Sequence, residues 1–109
     1  MSVKKVFKEA LIIDTKTCTA YIDFIEDKLE SFYKIINTDC ITIVARKVDG
    51  IMTKIICDEE GKLKQNQIQS ACSIRGDECL VGNLIIFAPF EHVVKNIDKN
   101  GCVMYDTKR

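Results

Sequence analysis

The chain carries no net charge, since sixteen lysines and arginines are matched by sixteen aspartates and glutamates. A domain so balanced offers no overall field to draw in DNA or RNA. Arginine is scarce as well: thirteen of the sixteen cations are lysines, so bidentate readers of bases and phosphates are few. Nucleic acid is therefore demoted as a partner. Long apolar runs are missing too. The longest, LIIFAP at residues 84–89, falls far short of the roughly 20 residues that cross a bilayer, which removes a membrane partner. The opening MSVKKVFKEALIID meets Glu9 and Asp14 where a signal peptide needs an unbroken apolar core. The expected compartment is the cytoplasm.

Other absences narrow the chemistry. None of the six cysteines (Cys18, Cys40, Cys57, Cys72, Cys79, Cys102) stands in a CxxC pair, and the single histidine, His92, has no cysteine near it in sequence. No metal and no cofactor is expected. In a reducing compartment the thiols stay free. Four fall inside apolar stretches, where cysteine behaves as a small hydrophobe; Cys72 and Cys79, in the least regular segment, are expected to be the most exposed. Neither Gly-rich nucleotide motif occurs, and Gly82 beside Asn83 reads as a bulge or a close packing point. His92 has only Glu91 and Lys95 as charged neighbours in sequence and reads as an exposed surface histidine.

What is present is a chain of 109 residues, 47% hydrophobic and 29% charged, the composition of one folded domain. VFKEALIIDTKTCTAYIDF predicts two short strands about a polar turn at 14–17. Leu29, Phe32, Tyr33 and Ile36 recur at i, i+3, i+4 and i+7, which predicts a helix over about 27–37 lying on one face of the sheet. Asp27 with Glu30 gives it a start resembling a capping box, and Asn37 can end it in the left-handed conformation. CITIVARKV and MTKIICD are β-rich runs joined at Asp49-Gly50, a hairpin dipeptide. LVGNLIIFAP is apolar on both faces, as suits a strand near the middle of a sheet, with Pro89 stopping it. A short second helix near 91–97, with Phe90, Val93, Val94 and Ile97 inward, and an edge strand CVMYD close the chain. The fold class is α+β: a mostly antiparallel sheet of five or six strands with one main helix.

LESFYKIINTDCITIV, ICDEEGKL and CLVGNLIIF, in this order, resemble the small bacterial, phage and plasmid family known as domain of unknown function three-eight-four-six. Leu29, Glu30, Ile35, Ile36 and Ile41 match its helix and following strand. Glu59, Glu60, Gly61, Lys62 and Leu63 repeat its turn motif, and Val81, Gly82 and Ile86 its last strand. The chain departs from the pattern at Asp58, where the family has Asn, at Asn37-Thr38-Asp39, where it has Gly-Gly, and at Gln69-Ser70, where it has Asn-Arg. The resemblance implies a compact α+β domain of mobile elements or their hosts and carries no activity. Sixteen isoleucines and thirteen lysines agree with the AT-rich coding of a low-GC bacterium.

The densest polar stretch is CDEEGKLKQNQIQSAC. Adjacent carboxylates on a strand point to opposite faces, and on a turn they splay into water, so Asp58, Glu59 and Glu60 read as the shoulder of a turn at Gly61. The candidate binding residues are Glu59, Glu60, Lys62, Asn66, Gln67, Gln69 and Ser70; no catalytic or metal-ligating residue is assigned. The leading reading is a non-enzymatic binding or interaction protein whose partner is a host protein or a small ligand. One alternative is an enzyme assembling Glu59, Glu60, His92 and Cys72 or Cys79 only in three dimensions. Another is a nucleic-acid binder using Lys4, Lys5, Lys8, Arg46, Lys47, Lys54, Lys62 and Lys64 along one sheet edge, should the two hairpins lie adjacent. An open edge strand also permits a homodimer.

Overall fold

β-branched residues around two tight turns build most of the main sheet. The computed structural model describes residues 5–64, 68–76 and 78–107. β1 (Phe7–Asp14) and β2 (Thr19–Glu26) pair antiparallel, from Phe7 opposite Glu26 to Asp14 opposite Thr19. Their turn is 15–18, one residue later than expected. Asp14 stays in the ladder, and its carboxylate accepts the Lys16 N–H at 2.9 Å, folding the chain back on itself. β3 (Ile41–Val48) and β4 (Ile51–Asp58) pair about Asp49 and Gly50, whose φ angles of 52° and 78° are those of a hairpin turn matched to strand twist.

β7 (Leu84–Phe87) joins the two hairpins, giving the order β2-β1-β7-β4-β3 with every neighbour antiparallel. Its Leu84, Ile85 and Ile86 are all buried, as a central strand covered on both faces requires. The hairpins thus lie on opposite flanks of β7. β7 lies between β1 and the β3–β4 hairpin, so the basic residues of the two hairpins do not form one continuous sheet edge, although Lys8 and Lys54 approach each other across β7; Lys4 lies outside the described residues.

Period-two alternation divides the apolar side chains between two cores. On one face α1 (Leu29–Ile36) packs Phe32 and Ile36 against Ala10, Ile12, Ile56 and Ile85. On the other, Leu11, Ile13, Ile55, Leu84 and Ile86 meet a second sheet ordered β6-β5-β8. β5 (Gln69–Ser73) is antiparallel to β6 (Cys79–Val81) and parallel to β8 (Val103–Tyr105). It contributes Ala71, Leu80, Val103 and Tyr105, with Phe90 before α2 (Glu91–Val94) and Val93 within it. The result is three layers, helix, sheet and sheet, in the α+β class. No helix among the described residues is long and apolar enough to cross a membrane.

Several local expectations change. The N-cap of α1 is Lys28, with extended backbone and no side-chain cap bond, because Asp27 spends its carboxylate on Lys8 at 2.8 Å. Asn37 does end the helix in the left-handed conformation, donating its N–H to the Tyr33 carbonyl at 2.8 Å. α2 is a single turn, ending short of 97, and its adjacent residues point about 100° apart, so Val93 is buried while Val94 is exposed. The second sheet was not expected. It makes Cys72 a buried strand residue and Cys79 a half-buried one, leaving Cys18, in the first hairpin turn, as the exposed cysteine.

Candidate functional site

An eight-residue helix is about 12 Å long, whereas five strands span roughly 19 Å. α1 therefore covers β7 with parts of β1, β3 and β4, and leaves part of that face open. There a cleft of about 450 Å³ is floored by Phe32, Ile56 and Phe87 and walled by Ile43, Met52 and Pro89. Ile43 and Met52 are 62% and 60% exposed although they are large and apolar. Phe32 meets Phe87 edge to face at 5.7 Å between centroids. Lys8 lies 5.8 Å from the centre of the Phe87 ring while paired with Asp27, and Lys54 lines the same cleft. The floor is apolar, and the rim carries Lys54 together with the Lys8–Asp27 ion pair.

His92 stands at one end, half-buried rather than exposed, with Nε2 2.7 Å from the Thr53 hydroxyl. That hydroxyl has one proton and directs it to the Ile51 carbonyl at 3.0 Å. With the hydroxyl so turned, the imidazole presents N–H to the threonine oxygen, and the couple holds the Thr53 and His92 side chains together at the end of the cleft.

A second cleft, of about 590 Å³, opens on the outer face of the small sheet and is lined by Cys18, Gln69, Cys72, Asp98, Cys102 and Met104 among others. Cys72 and Cys79 are cross-strand partners with their sulfurs 2.6 Å apart, and the Cys72 thiol also reaches Gln69 Oε1 at 3.4 Å. Burial raises the pKa of Cys72 and of Cys102. Burial, reinforced by Cys72, pushes Cys79 to about 11. Among the described residues no group of three or more His, Cys, Asp or Glu is arranged to hold a metal ion.

The acidic turn is built into the fold. Asp58 is buried, accepts the Glu60 N–H at 2.9 Å and pairs with Lys64 at 2.6 Å; that contact chiefly raises the pKa of Lys64. The Glu59 N–H donates to the Cys40 carbonyl at 2.7 Å. The Glu60 carboxylate, and then that of Asp39, disfavour the Cys40 thiolate and push its pKa to about 11. Gly61 is buried with the Val81 side chain 3.0 Å from where a Cβ would sit, which is why glycine stands there.

The sequence-nominated residues are dispersed. Glu59, Glu60 and Lys62 are exposed around this turn, Gln69 lines the thiol cleft, and Ser70 is buried with its hydroxyl directed to the Leu80 carbonyl. Asn66 and Gln67 lie outside the described residues. Neither cleft joins His92 to a cysteine or to Glu59 and Glu60: six steps along extended chain, roughly 20 Å, separate Thr53 from Glu59. Sequence reasoning missed the α1 cleft. The available signal was Ile43 and Met52, apolar residues on strands longer than the helix that covers them.

The three layers define a small α+β domain. The chain belongs to the family described as Domain of unknown function (DUF3846), whose model matches residues 7–97. β8 lies beyond that match, yet supplies the buried Val103 and Tyr105. No curated protein and no solved structure matches the chain.

Proposed function

We propose that this protein is a non-enzymatic interaction module that holds a partner protein's apolar segment, flanked by carboxylates, in the cleft beside α1. The observation that carries this reading is the exposure of Ile43 and Met52 over a floor of Phe32, Ile56 and Phe87. Large apolar groups left open in a concave site gain about 25 cal/mol for each Å² they bury on binding. Lys54 at the rim, which no ion pair among the described residues neutralises, supplies charge complementarity for an acidic flank, with Lys8 beside it held by Asp27. The family resemblance and the AT-rich composition support a bacterial host, phage or plasmid setting, with a host protein as the partner.

Fluorescence anisotropy with a labelled peptide, two leucines between aspartates, tests the reading. Binding that weakens at least tenfold in Ile43→Glu, and that is much weaker for the same peptide flanked by lysines, is the expected result. Equal binding of both peptides, or no effect of Ile43→Glu, would overturn it.

A further inference from the structure

The thiol cleft has no part in the proposed docking. Ser73 donates its N–H to the Glu78 carbonyl at 2.9 Å, which makes 73 and 78 a hydrogen-bonded pair of the β5–β6 ladder. Cys72 and Cys79, one step along, are then a non-hydrogen-bonded pair, the type whose Cα atoms stand about 4.5 Å apart with side chains closest. That spacing falls inside the range of about 4.4–6.8 Å that a disulfide spans. Their sulfurs already touch at 2.6 Å, both thiols are free, and Cys72 lines an open cleft.

We propose that Cys72 and Cys79 are a dithiol site for exchange with a low-molecular-weight disulfide of the glutathione class. Cys79 is the more exposed of the pair; burial and then Cys72 hold its thiol near 11, with Lys62 only partly offsetting them, so its attack quickens as the pH rises. Cys79 attacks one sulfur of the small disulfide, whose S–S bond breaks; the departing thiolate takes up the Cys79 proton. Cys72 then attacks the Cys79 sulfur of the mixed disulfide and expels the second small thiolate, which takes the Cys72 proton. Two protein thiols and one small disulfide give one protein disulfide and two small thiols, so the protein loses the two electrons that the small disulfide gains. Cys102 and Asp98 face Cys72 from the loop before β8. Cys102 is the competing partner. Oxidation removes the thiol proton that Gln69 accepts and frees that amide at the mouth of the cleft.

Full-length protein treated with oxidised glutathione at pH 8, alkylated and digested with trypsin gives a direct reading. Arg75 lies between the two cysteines, so cleavage there leaves peptides joined only through the new bond. The expected product is the Cys72–Cys79 linked pair, returned to two alkylated thiols by dithiothreitol. Cys72→Ser should stop at a glutathione adduct on Cys79. Should that variant fail to fold, Cys102→Ser must still give the Cys72–Cys79 link. Full alkylation of Cys72 and Cys79, or a Cys72–Cys102 link in the native chain, would overturn the assignment.

Discussion

Asn83 ties the first hairpin to the end of α1: its Oδ1 accepts both the N–H and the hydroxyl of Thr15 at 2.9 Å, and its Nδ2 donates to the Ile35 carbonyl at 2.8 Å. Three bonds from one side chain join segments 48 and 68 residues away in sequence. Asn83→Ala leaves partly buried backbone groups without these partners, at a cost of about 1–3 kcal/mol. Urea denaturation should show the midpoint falling by that equivalent with an unchanged slope. Asn83→Asp keeps the acceptor and loses the donor, and should fall between.

The two faces of the main sheet make opposite predictions for the same change. Ile86 is fully buried between the sheets, so Ile86→Ala should cost about 2–5 kcal/mol. Ile43, 62% exposed in the cleft, packs against little, and Ile43→Ala should change stability by less than about 0.5 kcal/mol. Chemical denaturation of both variants checks the contrast. A large loss at Ile43 would mean that it is a structural residue and not an open binding surface.

Stability should fall in alkali. Cys40 and Cys79 ionise near 11 in the folded chain against 9.0 for an ordinary thiol. Below pH 9 both states are protonated and nothing is lost. Between 9 and 11 the unfolded chain sheds protons that the folded chain retains, so the folded state is progressively disfavoured. Lys64, raised chiefly by Asp58, acts in the same direction: its stabilisation is complete below the ordinary lysine value of 10.5 and is lost as the pH rises through its folded pKa. Melting temperature followed from pH 8 to 11 should decline, and Cys79→Ser should decline less steeply.

Features set by neighbours in sequence were legible. The Asp49-Gly50 hairpin needs only two residues with positive φ between alternating apolar runs, α1 buries Phe32 and Ile36 of its predicted stripe while Leu29 is exposed at the first turn, and β7 shows apolar residues on both faces. β5 was not legible, because QSACS carries neither β-branched residues nor alternation. It is a strand because small side chains fit between the layers, with a bulge between Gln69 and Ala71. Asp27 was misread as a cap because its partner, Lys8, is nineteen residues away and local pattern says nothing of it. The clefts follow from how far one element covers another, which depends on strand order. Of the nominated stretch, Gln69 reached a cleft and Ser70 turned into the core, a division decided by the bulge.

The proposed docking site is tested most directly by amide NMR during titration with the acid-flanked leucine peptide. Shifts concentrated at Ile43, Met52, Lys54, Phe87 and His92, saturating with peptide, are the predicted result. Shifts confined to the β5–β6 sheet or scattered over the surface, or none at peptide concentrations far above the protein's, would contradict it.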